Sequence, residues 1–164
     1  MIRTVILSVV LITTCFFTLG CSDGRPDGMP KPYPLTLTFT QEGVPLAGAQ
    51  VMLNAVSPDL QRWGAGGTTD ANGKITLNTL GQYPGVVAGK FKVMVEKTEM
   101  DAPIAVKPGE EMTKEQIAAD AKRKIYDLVD PKYGDLNRTD LEVEAGAATP
   151  SKTFELGKAV RTAR

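Results

Sequence analysis

The sequence predicts an all-β protein, a seven-stranded antiparallel β-sandwich with one inserted α-helix. Short runs of residues alternate between apolar and polar side chains with the period of two that a half-buried strand requires. The 164 residues also include 16 glycines and 11 prolines, which supply turns between short strands. With 42% hydrophobic and 23% charged residues, the composition is that of a globular protein, and the length favours one domain. Six strands are predicted from alternating runs at residues 35–39, 49–55, 75–77, 91–95, 141–143 and 154–156, and a short strand at residues 66–69, before the turn at Asp70, makes seven.

Residues 1–20 have the layout of a secretory signal peptide. Arg3 precedes an uncharged and mainly apolar stretch at residues 4–20, and this order of a basic and an apolar region is typical of such peptides. A transmembrane helix needs about 20 apolar residues, whereas serine and threonine dilute this shorter stretch. Removal after export is therefore expected.

The apolar segment is followed by a cysteine in the run Thr18-Leu19-Gly20-Cys21. This run resembles the lipobox of bacterial lipoproteins. In that family a diacylglyceryl group is attached to the cysteine sulfur and the chain is cleaved before the cysteine, so the resemblance implies that Cys21 is a lipid-attachment site. The protein would then be exported and anchored to the periplasmic or cell-surface face of a bacterial membrane. The alternative is plain secretion, because Thr-x-Gly also satisfies the ordinary small-residue cleavage rule.

Residues 21–34 are predicted to form a tether. Their glycines and prolines prevent a helix and favour an extended, polyproline-like spacer. At about 3.1 Å per residue, such a spacer would hold the folded body up to roughly 40 Å from the bilayer. The folded domain then spans residues 35–160, and residues 161–164 form a C-terminal tail.

The first strand and the first strong turn illustrate the pattern of the domain. Leu35, Leu37 and Phe39 share one face, which we expect in the core, and the intervening threonines share the face turned to water. A tight hairpin is predicted at Asp70-Ala71-Asn72-Gly73, because aspartate accepts local backbone hydrogen bonds and Asn-Gly adopts positive φ. A calcium loop is the alternative, but an EF-hand has its glycine at the sixth position, and here it is fourth.

Three motifs stand directly before predicted strands: Gly43-Val44-Pro45-Leu46-Ala47-Gly48-Ala49, Thr69-Asp70-Ala71-Asn72-Gly73 and Gly89-Lys90-Phe91. Together they resemble the carboxypeptidase regulatory-like domain family. The resemblance covers residues 35–97 and continues more weakly through the last two strands. It implies a transthyretin-like (prealbumin-like) sandwich of the immunoglobulin type, and a noncatalytic accessory domain or surface module.

Residues 98–139 form an insertion that is longer than a connection between two strands requires. Thr113 and Gln116 have the spacing of a capping box, which predicts the start of a helix. An apolar stripe is expected on this helix before Pro131, at Ile117, Ala121, Ile125 and Leu128. The stripe either packs against the sandwich or contacts a partner protein, in which case Ile117, Ile125 and Leu128 are the binding residues.

Trp63 and Tyr83 are the candidate ligand-binding residues. Both fall in predicted loops, where an aromatic ring can stack on a sugar or anchor an envelope protein. The alternative is that both rings cap the core.

Charge and composition exclude several functions. Nineteen basic residues balance 19 acidic residues, so no overall field favours nucleic acid. The chain has no histidine, which removes histidine-based catalysis and imidazole zinc sites. We therefore expect no catalytic residues, no metal and no cofactor.

The predicted function is that of a noncatalytic, membrane-tethered envelope lipoprotein, acting as a recognition or structural module for a protein or carbohydrate partner. The alternative is a small transthyretin-like hydrolase. Transthyretin-related hydroxyisourate hydrolases use histidines and a C-terminal Tyr-Arg-Gly-Ser motif, and this chain has neither a histidine nor that motif in residues 160–164.

Overall fold

The computed structural model describes residues 24–106 and 109–164, and it shows a mostly β protein with several antiparallel sheets. The predicted signal peptide at residues 1–20 and the predicted lipid-attachment site Cys21 lie outside these ranges. Within the ranges, no helix has the length and apolar character that a membrane crossing demands. The strands among the described residues are β1 (Pro32–Tyr33), β2 (Thr36–Gln41), β3 (Val44–Pro45), β4 (Gln50–Ala55), β5 (Ala65–Thr68), β6 (Lys74–Thr76), β7 (Asn78–Thr79), β8 (Tyr83–Pro84), β9 (Val86–Val87), β10 (Gly89–Glu96), β11 (Thr98–Met100), β12 (Ile125–Asp127), β13 (Glu142–Ala145), β14 (Ser151–Glu155) and β15 (Thr162–Ala163).

The larger sheet has the strand order β13-β10-β4-β5-β7-β8, with antiparallel pairing throughout. Its centre is the β10–β4 pair, which runs from Phe91 opposite Ala55 to Glu96 opposite Gln50. The alternation predicted for β10 is confirmed, because Phe91, Val93 and Val95 are buried and the residues between them are not. This sheet therefore turns one apolar face to the core.

The second sheet has the order β14-β2-β3, and β6 pairs with the other part of β2. The expectation of purely antiparallel pairing is wrong here, since β14 runs parallel to β2. After β13 the chain crosses at residues 146–150 to the other sheet and enters it in the direction of β2. The parallel register places Phe154 beside Phe39, and the two rings stack with centroids 5.4 Å apart.

Each of the seven predicted strands coincides with a strand of one of these two sheets, and their inward residues form one core. Gly67 of β5 lies against Ile75 of β6, since a Cβ on this glycine would be 3.1 Å from the Ile75 Cδ1. The absence of a side chain at Gly67 thus permits the close approach of the two sheets at this point.

The turn at residues 70–73 is confirmed, but it does not close a hairpin of paired strands. The Asp70 carboxylate accepts hydrogen bonds from the backbone N–H of Asn72 (2.8 Å) and of Lys74 (2.9 Å), and Gly73 has a φ of +70°. The strands on either side pair with different partners, β5 with β4 and β6 with β2. The turn therefore carries the chain from one sheet to the other.

The described part of the predicted tether, residues 24–34, contacts the folded body. Met29 is buried in the core, and β1 pairs with β9 through Pro32 opposite Val87 and Tyr33 opposite Val86. The prediction of a free spacer over residues 21–34 is therefore wrong for this part. Burial of the methionine and pairing of the backbone offset the entropy that an extended spacer would retain.

The insertion contains a helix, but a shorter one than the sequence suggests. Helix α1 (Lys114–Asp120) begins with the predicted capping box, in which Thr113 and Gln116 exchange side chain to backbone hydrogen bonds. The helix ends in a tight turn where Arg123 pairs with Asp120 at 2.9 Å. Ile125 then belongs to β12. The single helical stripe from Ile117 to Leu128 is therefore wrong, because strand pairing satisfies the backbone of the later residues.

Candidate recognition site

Trp63 lies in the core and is unavailable as a stacking surface. It ends the 3₁₀ segment Pro58–Trp63, and only 5% of its surface is exposed. The Arg62 guanidinium covers the ring, with its central carbon 4.5 Å from the ring centroid. Of the two interpretations of this tryptophan, the structure selects the one in which the ring caps the core.

Tyr83 is half-buried, and its ring packs partly against the core. Its hydroxyl donates a hydrogen bond to the carbonyl oxygen of Gly24 at 3.0 Å. The ring also lines an open depression with Arg25, Lys31 and Pro32. Tyr83 thus holds the first described residues of the chain against the sandwich.

The three predicted partner-binding residues of the insertion lie on different elements. Ile117 is on α1 with 55% of its surface exposed, and Ile125 is an exposed residue of β12. Leu128 follows β12, and its backbone joins the insertion to the sandwich. It donates to the Lys97 carbonyl oxygen at 2.8 Å and accepts from the Gln41 side chain at 3.1 Å. The structure does not gather these residues into one apolar surface.

The insertion instead builds a small antiparallel sheet in the order β11-β12-β15. Three residue pairs join β11 to β12, starting with Thr98 opposite Asp127. The other edge of β12 pairs with β15, with Tyr126 opposite Ala163 and Asp127 opposite Thr162. Residues 161–164, predicted to be a tail, thus contribute the third strand, and this prediction is corrected.

An arginine holds each end of β15. The guanidinium carbon of Arg161 lies 3.5 Å from the ring centroid of Tyr126, a cation–π geometry. Its Nε is 3.4 Å from a carboxylate oxygen of Glu99, and its Nη2 is 3.9 Å from one of Asp101. These contacts are largely exposed to water, so each ion pair is weak.

Arg164 makes the closer ion pair. Its Nε lies 2.7 Å from Asp127 Oδ1 and its Nη2 lies 3.3 Å from Glu96 Oε2, while its backbone N–H donates to the Ile125 carbonyl oxygen at 2.9 Å. Hydrogen bonds to Asp127 first and then to Glu96 raise the pKa of Arg164 above its ordinary value. Asp127 is only 8% exposed. A carboxylate at this depth needs a cationic partner, because a buried unpaired charge is costly.

A cavity of about 270 Å³ adjoins Arg164 at the junction of the insertion and the sandwich. It is lined by Val95 and Val129 and by charged residues that include Asp130, Asp135 and Arg138. We call the surface made by the β12 edge, the Tyr126 ring and four surrounding carboxylates the acidic strand edge. Its carboxylates belong to Glu96, Glu99, Asp101 and Asp127.

The acidic strand edge holds an extended segment of this chain, because β15 pairs with the backbone of β12, the ring of Tyr126 lies under Arg161, and Asp127 and Glu96 pair with Arg164. Within residues 24–106 and 109–164, no group of three or more acidic or cysteine side chains is placed to hold a metal ion. No sequence pattern marks this site, because Tyr126, Arg161 and Arg164 lie in segments without alternation.

A second surface lies on the outer face of the larger sheet. Met52 of β4 is 55% exposed and stands opposite Met94 of β10. Gly66 of β5 stands beside Met52 in the neighbouring strand, and the missing side chain there opens a shallow groove.

Comparisons of the chain with known proteins identified no relative. No protein-family model matches the chain, and neither the curated proteins nor the solved structures contain a significant match.

Proposed function

We propose that the protein is a noncatalytic envelope lipoprotein, tethered to a bacterial membrane through Cys21, that acts as a recognition or structural module. The apolar segment followed by Cys21 supports the tether. The contact between Tyr83 and Gly24 supports a folded body that begins close to the anchor. Stable anchoring is expected because each buried methylene of an acyl chain contributes about 0.8 kcal/mol, and several chains act together.

We further propose a transthyretin-like, immunoglobulin-type topology for the seven main strands. The way in which the predicted strands divide between the two sheets supports this topology. Four of them lie in the larger sheet in the order β13-β10-β4-β5, and three lie in the second sheet in the order β14-β2-β6. A sandwich of this kind is a scaffold, and recognition resides in what is attached to it.

The observation that carries the recognition role is the acidic strand edge. The insertion places a strand edge, an aromatic ring and a nearly buried carboxylate together on one surface, and a strand with an arginine on either side pairs with it.

Fractionation of cells that express the full chain tests the tether. Cys21→Ser is expected to move the protein from the membrane to the soluble fractions and to abolish the lipid-modified peptide that mass spectrometry should detect. Cys15→Ser is the matched control, because this cysteine lies in the segment predicted to be removed, and it should fractionate as the unaltered protein does. Recovery of an unmodified Cys21 at the mature N-terminus would contradict the proposal.

A further inference from the structure

We propose that the folded body rests on the membrane through the side that carries Tyr83, and that the partner of this surface is the layer of anionic lipid headgroups. We call this surface the anchor-side face. The proposal rests on the proposed function, because it requires an acylated Cys21, and it adds an orientation of the body to the tether. The anchor-side face consists of Arg25, Lys31, Pro32, Tyr83 and Pro84, which line one open depression, and of the adjoining loop at residues 80–82.

The chain between the proposed anchor and this face is short. Gly24 is the first described residue, and its carbonyl oxygen accepts the hydrogen bond of the Tyr83 hydroxyl at 3.0 Å. Cys21 comes three residues before Gly24, and a chain advances at most about 3.6 Å per residue, so the two α-carbons lie at most about 11 Å apart. The headgroup layer on each side of a bilayer is about 5–7 Å thick. An acylated Cys21 therefore brings Tyr83 close to this layer.

The segment that follows the proposed anchor is fixed on the sandwich. Met29 is buried in the core, and β1 pairs with β9. A free spacer over residues 21–34 would let every side of the body reach the bilayer, whereas this attachment begins at Gly24. The side of the body next to Gly24 is therefore the one that the anchor draws to the membrane.

The side chains of the anchor-side face suit a boundary between water and lipid. Tyrosine is enriched at the level of the headgroups because its ring is apolar and its hydroxyl is polar, and Tyr83 stands here half-buried. Leu80, in the tight loop between β7 and β8, has 43% of its surface exposed. Arg25 and the exposed Lys31 supply cations that pair with lipid phosphates.

The distribution of charge favours the same orientation. Residues 24–34 contain two cationic side chains and one carboxylate. Arg62 adds a third cation, since a Cβ on Gly28 would lie 3.2 Å from its Nη2. The acidic strand edge, beside the end of β10 at Glu96, has four carboxylates against two arginines. An anionic surface attracts the basic side and repels the acidic one, so charge turns the anchor-side face toward the headgroups.

The test places a fluorescent dye at either end of the larger sheet, in lipidated protein reconstituted into vesicles of phosphatidylethanolamine and phosphatidylglycerol. A trace lipid with a nitroxide on its headgroup is the quencher. The matched variants are Gln82→Cys, in the anchor-side face, and Gln50→Cys, opposite Glu96, and both glutamines are exposed. The introduced thiol is the one that reacts, because Cys15 lies in the segment expected to be removed and the sulfur of Cys21 is acylated. The dye at position 82 is expected to lose most of its fluorescence, and the dye at position 50 little.

Lys31→Gln tests the contribution of charge. Loss of one cation is expected to lower the ratio of seated to unseated protein about fivefold on these anionic vesicles, which reduces the quenching at position 82. On neutral phosphatidylcholine vesicles the same substitution should change nothing. Lys122→Gln is the matched control, because it removes an exposed lysine of the insertion, and it should leave the quenching at position 82 unaltered.

Three outcomes would overturn the proposal. Equal quenching at positions 82 and 50 would show that the body takes no fixed orientation, and stronger quenching at position 50 would place the outer face of the larger sheet against the bilayer. Quenching at position 82 that neither Lys31→Gln nor neutral lipid changes would show that the charge of the headgroups is not recognised. Mass spectrometry of the Cys21 peptide and flotation with the vesicles measure the tether separately. An unmodified Cys21 would overturn tether and face together, whereas one of the three outcomes with an acylated Cys21 would overturn the face alone.

Discussion

Gly73 permits a stringent test of the turn between the two sheets, because two independent penalties fall on any side chain at this position. Its φ of +70° lies in the left-handed region, which costs an L-residue about 1–2 kcal/mol. A Cβ on Gly73 would also overlap the carbonyl oxygen of Phe39 and lie 2.9 Å from the backbone nitrogen of Leu46. The backbone of the turn or of its neighbours must therefore shift to admit even a methyl group.

Gly73→Ala is expected to lower the free energy of unfolding by about 2–5 kcal/mol. The left-handed conformation accounts for about 1–2 kcal/mol, and displacement of closely packed neighbours adds about 1–3 kcal/mol. The displacement also strains the hydrogen bond in which the Phe39 N–H donates to the Gly73 carbonyl oxygen at 2.8 Å. A loss of this size is a large part of the ordinary total of about 5–15 kcal/mol.

Gly43→Ala is the matched control for Gly73→Ala. Gly43 has a φ of +76°, and nothing lies within 4 Å of an added Cβ, so its substitution should cost only about 1–2 kcal/mol. Urea unfolding can be followed through the fluorescence of Trp63, the one tryptophan of the chain, which is buried in the core. Equal losses in the two variants would refute the packing of the turn against β2. No loss in either would refute the left-handed conformations.

Two further predictions concern polar groups that hold neighbouring segments together. Thr69→Val should lower the free energy of unfolding in urea by about 1–3 kcal/mol, because the buried hydroxyl donates to the Leu46 carbonyl oxygen and accepts from the Ala49 N–H. The control Thr69→Ser keeps a hydroxyl and should retain most of the stability. A Thr69→Val variant as stable as the unaltered protein would contradict this role. The hydroxyl of Thr40 first, and then three backbone N–H groups, lower the pKa of Glu155 from its ordinary value of 4.5 although desolvation opposes this. The folded state therefore binds this proton less readily than the unfolded state, so the stability advantage over Glu155→Gln should be full above pH 4.5 and should vanish as the pH falls through the lower folded pKa. A difference that does not change with pH would show that the charge of Glu155 contributes nothing.

The core was predictable from the sequence because burial on one face of a strand imposes a period of two. Leu35, Leu37 and Phe39 alternate with threonines, and all three are buried. The turn at residues 70–73 was also predictable, because aspartate accepts hydrogen bonds from nearby backbone N–H groups and glycine adopts a positive φ without a steric penalty. Which strands pair is set by contacts far apart in the chain, and the parallel pairing of β14 with β2 leaves no local signal.

The insertion shows that apolar residues at helical spacing do not by themselves establish a helix. Ile117 and Ile125 have helical spacing, yet the helix ends between them, because the backbone of Ile125 pairs with Met100 of β11. Tertiary pairing overrode the local preference. Tyr126 and Arg164 were missed for a related reason, since the side-chain hydrogen bonds that define the candidate site join residues 37 to 68 positions apart in the sequence.

Strand β10 relates the proposed anchor to the acidic strand edge. At its start, a Cβ on Gly89 would meet the side chain of Leu60, and the neighbouring Arg62 lies beside Gly28. At its other end, Glu96 binds Arg164. Seven steps of about 3.3 Å separate these ends by about 23 Å. Because Cys21 comes three residues before Gly24, the proposed anchor would lie nearer to the Gly89 end of β10 than to the acidic strand edge.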